Sequence, residues 1–231
     1  MFTDDVRANL VRTGLWSTGY GRAGPVLSAA QCEQLRSLYD QPELFRNRVD
    51  MARHRFGRGE YKYFAYPLPV LVRELRETFY ASLYETANEW MAALSLPGDY
   101  PPELEQFLER CRAEGQARPT PLMLHYVEGD FNCLHQDLYG DVVFPFQVVL
   151  GLSRPDEDFK GGELLLVEQQ PRAQSLGHAI RLEQGEAVVI TTRYRPVKGT
   201  RGYYRTNLRH GVSPIVSGER YTLGIIFHDA A

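Results

Sequence analysis

Residues 124–137 read LHYVEGDFNCLHQD, and the reading of the rest of the chain starts from them. The run ends in His135-x-Asp137, an imidazole and a carboxylate two positions apart. Side chains alternate faces along a strand, so residues i and i+2 point the same way, about 7 Å apart. Both can then close on one metal ion without a bend in the backbone. A third donor is best supplied by His210, in RHGVSPIVSGERYTLGIIFH (209–228), and Arg220 follows that histidine by ten residues. An H-x-D pair alone carries little, because ordinary structural His/Asp pairs produce it often. The pair, a distal histidine and a basic residue at that offset form a much stronger pattern.

The surrounding sequence reads as strands. From Pro121 onward helical spacing stops. Short β-branched or aromatic runs then follow at 122–126, 144–152, 163–168, 178–182, 187–192, 209–212 and 221–227. Each is bounded by Gly, Pro or acidic turns, and seven or eight such strands in about 110 residues suit a sandwich or jelly roll. Upstream the periods are helical. Ser28 is a good N-cap for a helix with Cys32, Leu35, Leu38 and Tyr39 on one face. Pro69 to Leu94 carries Leu71, Leu75, Phe79, Leu83, Ala87 and Trp90 at spacings of three and four, and a shorter helix is expected over 103–113. Residues 45–66 lack a clean period and read as a loop or hairpin. The expectation is one mainly β domain with flanking α. Residues 1–115 form a helical support with a candidate substrate loop at 45–66, and residues 116–231 form the catalytic core.

The last strand gives the sharpest geometric argument. Arg220, Thr222, Gly224, Ile226 and His228 share one face, and Tyr221, Leu223, Ile225 and Phe227 share the other. The second set is continuous hydrophobe and must pack between layers. The first set then faces the interior of the sandwich, where a buried arginine needs an anion. A dicarboxylate fits that need: the guanidinium forks onto one carboxylate, with Thr222 placed to add a donor. The competing reading of Arg220 is a surface residue paired with Glu183 or Glu186. His54, His125, His178 and His228 read as structural or solvated, and Cys133 as a small core residue.

These residues carry a resemblance. Two histidines and one carboxylate facing open positions form the facial triad of non-haem Fe(II) oxygenases, and the chain resembles the Fe(II)/2-oxoglutarate dioxygenases, in particular the prolyl-4-hydroxylase-like branch. That branch has a Tyr nine residues before the first His, matched by Tyr126. Its H-x-V-x-P-V is matched by His210-Gly211-Val212-Ser213-Pro214-Ile215, and its Gly-Gly-Glu turn by Gly161-Gly162-Glu163. The branch usually places Lys where Arg220 stands; Arg is commoner elsewhere in the superfamily. With MARHRFGRGEYKYFAYPLP (51–69) and RGYYRTNLRHGV (201–212), the whole chain resembles a bacterial oxygenase family predicted to act on alkylated nucleic acid. The resemblance implies a double-stranded β-helix. It also implies Fe(II) on His135, Asp137 and His210, and 2-oxoglutarate held by Arg220, Tyr126 and Thr222, with O2 as the other cosubstrate. The reaction implied is hydroxylation of a substrate C–H with release of succinate and CO2. On an N-methyl carbon the product collapses to formaldehyde and free amine.

Composition narrows the partners without naming one. The net charge of −3 argues mildly against a general polyanion binder. Charge is nevertheless local: no acidic residue lies between Glu186 and Glu219, while Arg193, Arg195, Lys198, Arg201, Arg205 and Arg209 do. Residues 46–66 hold six more cations interleaved with Phe56, Tyr61, Tyr63, Phe64 and Tyr66. Arginine with aromatics suits a phosphate backbone and stacked bases, and it also suits solvated loops. The alternatives are a hydroxylase of an amino acid, peptide or protein side chain, and a cupin-like metal or ligand binder without turnover. Three cysteines (Cys32, Cys111, Cys133) cannot all pair and lack metal spacing. No apolar run is long enough to span a bilayer and the N-terminus lacks a signal-peptide core, so a cytoplasmic enzyme is expected.

Overall fold

The computed structural model describes residues 5–231, with side chains from Ala8 onward. The N-terminal half comprises α1 (Asp5–Thr18), β1 (Tyr20–Pro25), α2 (Ala29–Ser37), β2 (Phe45–Asp50), α3 (Met51–His54), β3 (Gly57–Arg58), β4 (Glu60–Phe64), α4 (Val70–Ala93) and α5 (Leu104–Ala113). The strand-rich half begins with β5 (Leu122–Tyr126), β6 (Phe131–His135), β7 (Phe146–Gly151), β8 (Phe159–Gly161), β9 (Leu164–Gln169) and β10 (Leu176–Ile180). It continues through β11 (Glu186–Thr191), β12 (Tyr194–Gly199), β13 (Gly202–Val212), β14 (Ile215–Gly218) and β15 (Arg220–Ile226).

Two antiparallel sheets face each other. The larger runs β1-β11-β7-β15-β5-β4-β2; the smaller runs β10-β9-β13-β6-β3, with β12 paired to β13. β8 and β14 form a small ribbon beside them. This is the mainly β, double-stranded β-helix arrangement expected, and the N-terminal half contributes strands to it as well as helices. The segment 45–64 is a hairpin, as one of its two readings held, and it joins both sheets. β4 pairs with β5 in the larger sheet, and β3 pairs with β6 in the smaller.

The main core lies between the outer face of the larger sheet and the helices. Leu150, Val189, Leu223 and Ile225 meet Phe79, Tyr80, Leu83 and Trp90 of α4, and Phe107 and Leu108 of α5. Each such side chain, once fully buried, contributes roughly 1.5–3 kcal/mol. Ser28 caps α2 as expected: its hydroxyl accepts from the Gln31 N–H, and Gln31 Oε1 accepts from the Ser28 N–H. The buried stripe of α4 is wider than the spacing predicts. Leu71 and Leu75 pack against the core half-buried, as expected, and Val72 and Arg76 beside them are fully buried. Arg76 is buried through polar contacts: it donates to the carbonyls of Ile226 and Phe227 and to Asp229 Oδ1.

Between the sheets the packing is uneven. Leu166, Val188, Ile190 and Leu208 close one part of the interior with hydrocarbon. Met51, Tyr126, Phe159, Val212 and Ile215 close another. Between them lies a cavity of about 340 Å³.

Two extents differ from the sequence reading. The strand expected at 209–212 begins at Gly202, and β12 precedes it, so 194–212 is one long hairpin. It hides a buried ion pair: Arg195 forks onto Glu168 with two contacts of 2.9 Å, and the Thr206 hydroxyl donates to the same carboxylate. The strand expected at 178–182 runs instead from Leu176 to Ile180, in register with β9.

Candidate metal and cosubstrate site

His135 ends β6, and cross-strand pairing sets it opposite His210 of β13, with ring centroids 4.2 Å apart. Asp137 follows two residues on, just beyond the strand, and is buried. Its Oδ2 lies 3.2 Å from His210 Nε2 and its Oδ1 3.6 Å from His135 Nε2. One donor atom from each of the three lies within 4.8 Å of the others, so they can hold one ion.

The protonation states suit that use. Burial raises the Asp137 carboxyl, but the hydrogen bond and charge of His210, with His135 and Tyr139, override it and hold the group well below the usual carboxylate range. Burial, reinforced by His210, pushes His135 down. His135 Nδ1 sits 2.8 Å from the Cys133 carbonyl. A proton on that nitrogen satisfies the carbonyl and leaves the Nε2 lone pair facing the cluster. Asp137 is thus held as the carboxylate and His135 as the neutral imidazole, the forms in which these groups ligate a metal.

Side chains around the cluster orient it. Tyr139 donates to Asp137 Oδ1 at 2.6 Å, and Tyr63 of β4 donates to the Tyr139 hydroxyl at 3.0 Å. Gln147 brings its amide to 3.0 Å from His210 Nε2. Periodicity gave no sign of these three: Tyr139 lies in a loop, Gln147 in an apolar strand, and Tyr63 among other aromatics. The only available cue was the spacing of Tyr139, two residues past Asp137.

Arg220 sits deeper in the same cavity. It is 2% exposed, and neither terminal guanidinium nitrogen has a hydrogen-bond partner. The alternative pairing with Glu183 or Glu186 is absent: Glu186 pairs with Arg22, and Glu183 with Arg181. Instead the guanidinium lies against the rings of Tyr126 and Phe159, 5.7 and 5.8 Å from their centroids. Gly162 lies beneath it; a Cβ there would come within 2.8 Å of Arg220 Cδ and 2.4 Å of Ile215 Cδ1. A desolvated, unpaired guanidinium costs several kcal/mol, which an oxyanion in the cavity offsets. Thr222 and Gly224 line the same cavity on β15, and Leu122, Leu124 and Tyr126 line it on β5. Tyr126 is fully buried and its hydroxyl accepts from Asn132 Nδ2 at 3.4 Å. Its own proton remains available to an anion beside Arg220.

The other histidines stay outside the cluster. His125 stacks on Tyr221, centroids 4.3 Å apart, on the opposite face of β5. His178 meets Tyr20 edge-on, and His54 stacks on Phe56. His228 is fully buried, with Nδ1 accepting from the Phe144 N–H. Cys133 corrects an expectation: it is exposed and lines the cavity instead of lying in the core, because the C-terminal part of β6 that carries it and His135 is open to solvent. Of the two basic aromatic stretches, 46–66 lines the cavity through Arg55, Phe56, Tyr61 and Tyr63. The other contributes no residue of 193–209 to the cavity lining.

Comparison with known proteins gives three kinds of match. A family model described as an oxygenase catalysing oxidative methylation of damaged DNA matches residues 59–230. An uncharacterised protein of Mycobacterium tuberculosis is 51% identical over 168 residues, which is 73% of this chain and 72% of that protein. Among solved structures, a prolyl-4-hydroxylase from Pseudomonas putida superposes with a TM-score of 0.59 at 17% identity, covering 97% of this chain and 99% of that one. A prolyl hydroxylase from Trichoplax adhaerens, in complex with a hypoxia inducible factor peptide fragment, gives 0.53 at 15% identity, covering 96% and 89%. At these identities the structural matches speak for the fold alone.

Proposed function

We propose that the chain, which belongs to the oxygenase family whose model matches residues 59–230, is an Fe(II)- and 2-oxoglutarate-dependent enzyme that hydroxylates the methyl carbon of an alkylated nucleic acid base. In this reading His135, Asp137 and His210 hold Fe(II). Arg220 forks onto the distal carboxylate of 2-oxoglutarate, with Thr222 and Tyr126 as further donors. The unpaired guanidinium of Arg220, buried in the cavity that contains the cluster, is the observation that carries the cosubstrate assignment.

Bound iron and 2-oxoglutarate supply dioxygen activation, and the protein supplies position and exclusion. Asp137 contributes the one formal negative charge of the donor set. Tyr139 positions Asp137 itself, and Gln147 lies against His210. Leu122, Leu124, Val212 and Ile226 keep the cavity wall apolar, so water competes poorly there. Insertion of oxygen into an N-methyl C–H gives a hydroxymethyl amine. This releases formaldehyde and the free amine while 2-oxoglutarate becomes succinate and CO2, so the chemistry runs toward removal of the methyl group.

For the substrate, the family model's description supports nucleic acid, and Arg55, Phe56, Tyr61 and Tyr63 lining the cavity suit a flipped or single-stranded base. No helix among the described residues is long and apolar enough to cross a membrane. With free thiols at Cys32, Cys111 and Cys133, we assign the enzyme to the reducing cytoplasm. The test is succinate and formaldehyde release with Fe(II) and 2-oxoglutarate, against methylated single-stranded oligonucleotides and a panel of prolyl and other peptides. Turnover confined to peptides would overturn the substrate assignment.

A further inference from the structure

A second cavity, also of about 340 Å³, adjoins the first. The two share Phe56, Tyr61, Tyr63 and Tyr139 as a common wall. Arg46, Asn47 and His54 line the second cavity and not the first. Phe56 therefore stands as a ridge between them, with Arg55 on the metal side and Arg46 on the other.

The ridge has an unusual combination of properties. Phe56 is 48% exposed, yet its backbone is tied on both sides: its N–H donates to the Met51 carbonyl at 3.0 Å, and its carbonyl accepts from the Cys133 N–H at 2.8 Å. Met51 beneath is fully buried. The preceding Arg55 has φ 60 and ends α3 in the left-handed region. The His54 ring stacks on Phe56 at 5.3 Å and 22°. A flat aromatic pair is thus held in solvent on a rigid corner, where its order is already established before anything binds.

The flanking charges are uncommitted. Among the described residues neither Arg46 nor Arg55 forms an ion pair, unlike Arg48 with Glu60 and Arg53 with Asp50. Arg46 is held by one bond, Nε to the Pro119 carbonyl at 2.9 Å, and by the Tyr63 ring 4.6 Å away. The nearby carboxylate of Asp229 is taken by Arg76 and Tyr66.

We propose that the His54–Phe56 stack is a platform for the base next to the reacting one in a single-stranded nucleic acid, with Arg55 and Arg46 neutralising the phosphates on either side. This rests on the nucleic acid reading above and adds the path of the strand across the mouth. Aromatic platforms accept any base, so the platform contributes affinity and no sequence choice.

The experiment measures anisotropy of a labelled single-stranded oligonucleotide, and of an abasic strand of equal length, on the Fe(II)- and 2-oxoglutarate-loaded protein without oxygen. Phe56→Ala should weaken binding of the base-bearing strand about 5- to 150-fold, leave the abasic strand unchanged, and be restored by Phe56→Trp. Arg46→Gln and Arg55→Gln should each lower the salt slope by about 0.7 on both strands. If the wild type binds the oligonucleotide and Phe56→Ala binds it equally, the platform is elsewhere and the nucleic acid reading stands. An equal loss on both strands would also overturn the platform. Failure of the wild type to bind either strand at low salt would remove both readings together.

Discussion

The Tyr139 hydroxyl donates to Asp137 Oδ1 at 2.6 Å, and the other oxygen, Oδ2, faces His210 Nε2 at 3.2 Å. One carboxylate oxygen is thereby occupied by the protein and the other left to the cluster. Tyr63 supports Tyr139 in turn. Hydrogen bonds of this kind set the orientation and basicity of a ligand, and losing one typically costs 10–100-fold in metal affinity. Tyr139→Phe should therefore weaken Fe(II) or Co(II) binding by about that factor, measured by anaerobic titration. Tyr63→Phe should weaken it in the same direction and by less. An unchanged metal affinity in Tyr139→Phe would show that the hydroxyl only fills space.

Replacing His135, Asp137 or His210 by Ala should abolish 2-oxoglutarate turnover while the variants keep a cooperative thermal transition. Each supplies one of only three donors in the cluster. Succinate release with excess Fe(II) is the measurement, and full activity in any one variant would falsify that donor's role.

Arg220 gives a two-sided prediction. Arg220→Met removes a bidentate, charge-assisted contact and should raise the 2-oxoglutarate requirement about 30- to 800-fold, from roughly 2–4 kcal/mol. The same change removes a buried unpaired charge, so without cosubstrate the variant should be more stable than the wild type by about 1–4 kcal/mol. Thermal melts with and without 2-oxoglutarate test both sides: added cosubstrate should stabilise only the wild type. Equal responses in the two proteins would place the cosubstrate elsewhere.

His228 sets a pH dependence of stability. Burial, with Arg76 nearby, pushes its pKa from the usual 6.5 down to about 3. Between those values the unfolded chain binds a proton that the native state does not, so the native state loses stability as the pH falls below about 6.5. The loss approaches 1.4 kcal/mol per pH unit, roughly 3 kcal/mol by pH 4. His228→Asn keeps an acceptor for the Phe144 N–H and removes the titration. Its denaturation midpoint should fall less steeply between pH 6.5 and 4 than that of the wild type; parallel curves would assign the acid sensitivity to the carboxylates alone.

The parts of this molecule that obey a period could be read directly. β5 runs over the residues that alternation selects, and the alternation of β15 puts Arg220, Thr222, Gly224 and Ile226 on the cavity and Leu223, Ile225 and Phe227 in the core. Spacing also brought His135, Asp137 and His210 to one point. What could not be read depends on partners distant in sequence. Arg195 looked like one more cation in a basic stretch, because Glu168 lies 27 residues away. The burial of Arg76 on α4 was equally hidden, because its carbonyl partners are about 150 residues downstream. Arg201 belongs to a hairpin turn nine residues from His210, about 30 Å along an extended strand, so the tip of that basic stretch lies far from the chemistry, and none of 193–209 lines the cavity.

The segment 45–64 is hydrogen-bonded into both sheets, β4 to the strand of Tyr126 and β3 to the strand of His135. The entrance is therefore a frame and not a gate: strand pairing holds it open at one width. The apolar wall discourages water inside the cavity, but closing the entrance falls to the substrate, which must act as the stopper. A molecule that plugs the frame badly should consume 2-oxoglutarate without yielding a matching amount of product, so the ratio of succinate to hydroxylated product becomes a gauge of fit across candidate substrates.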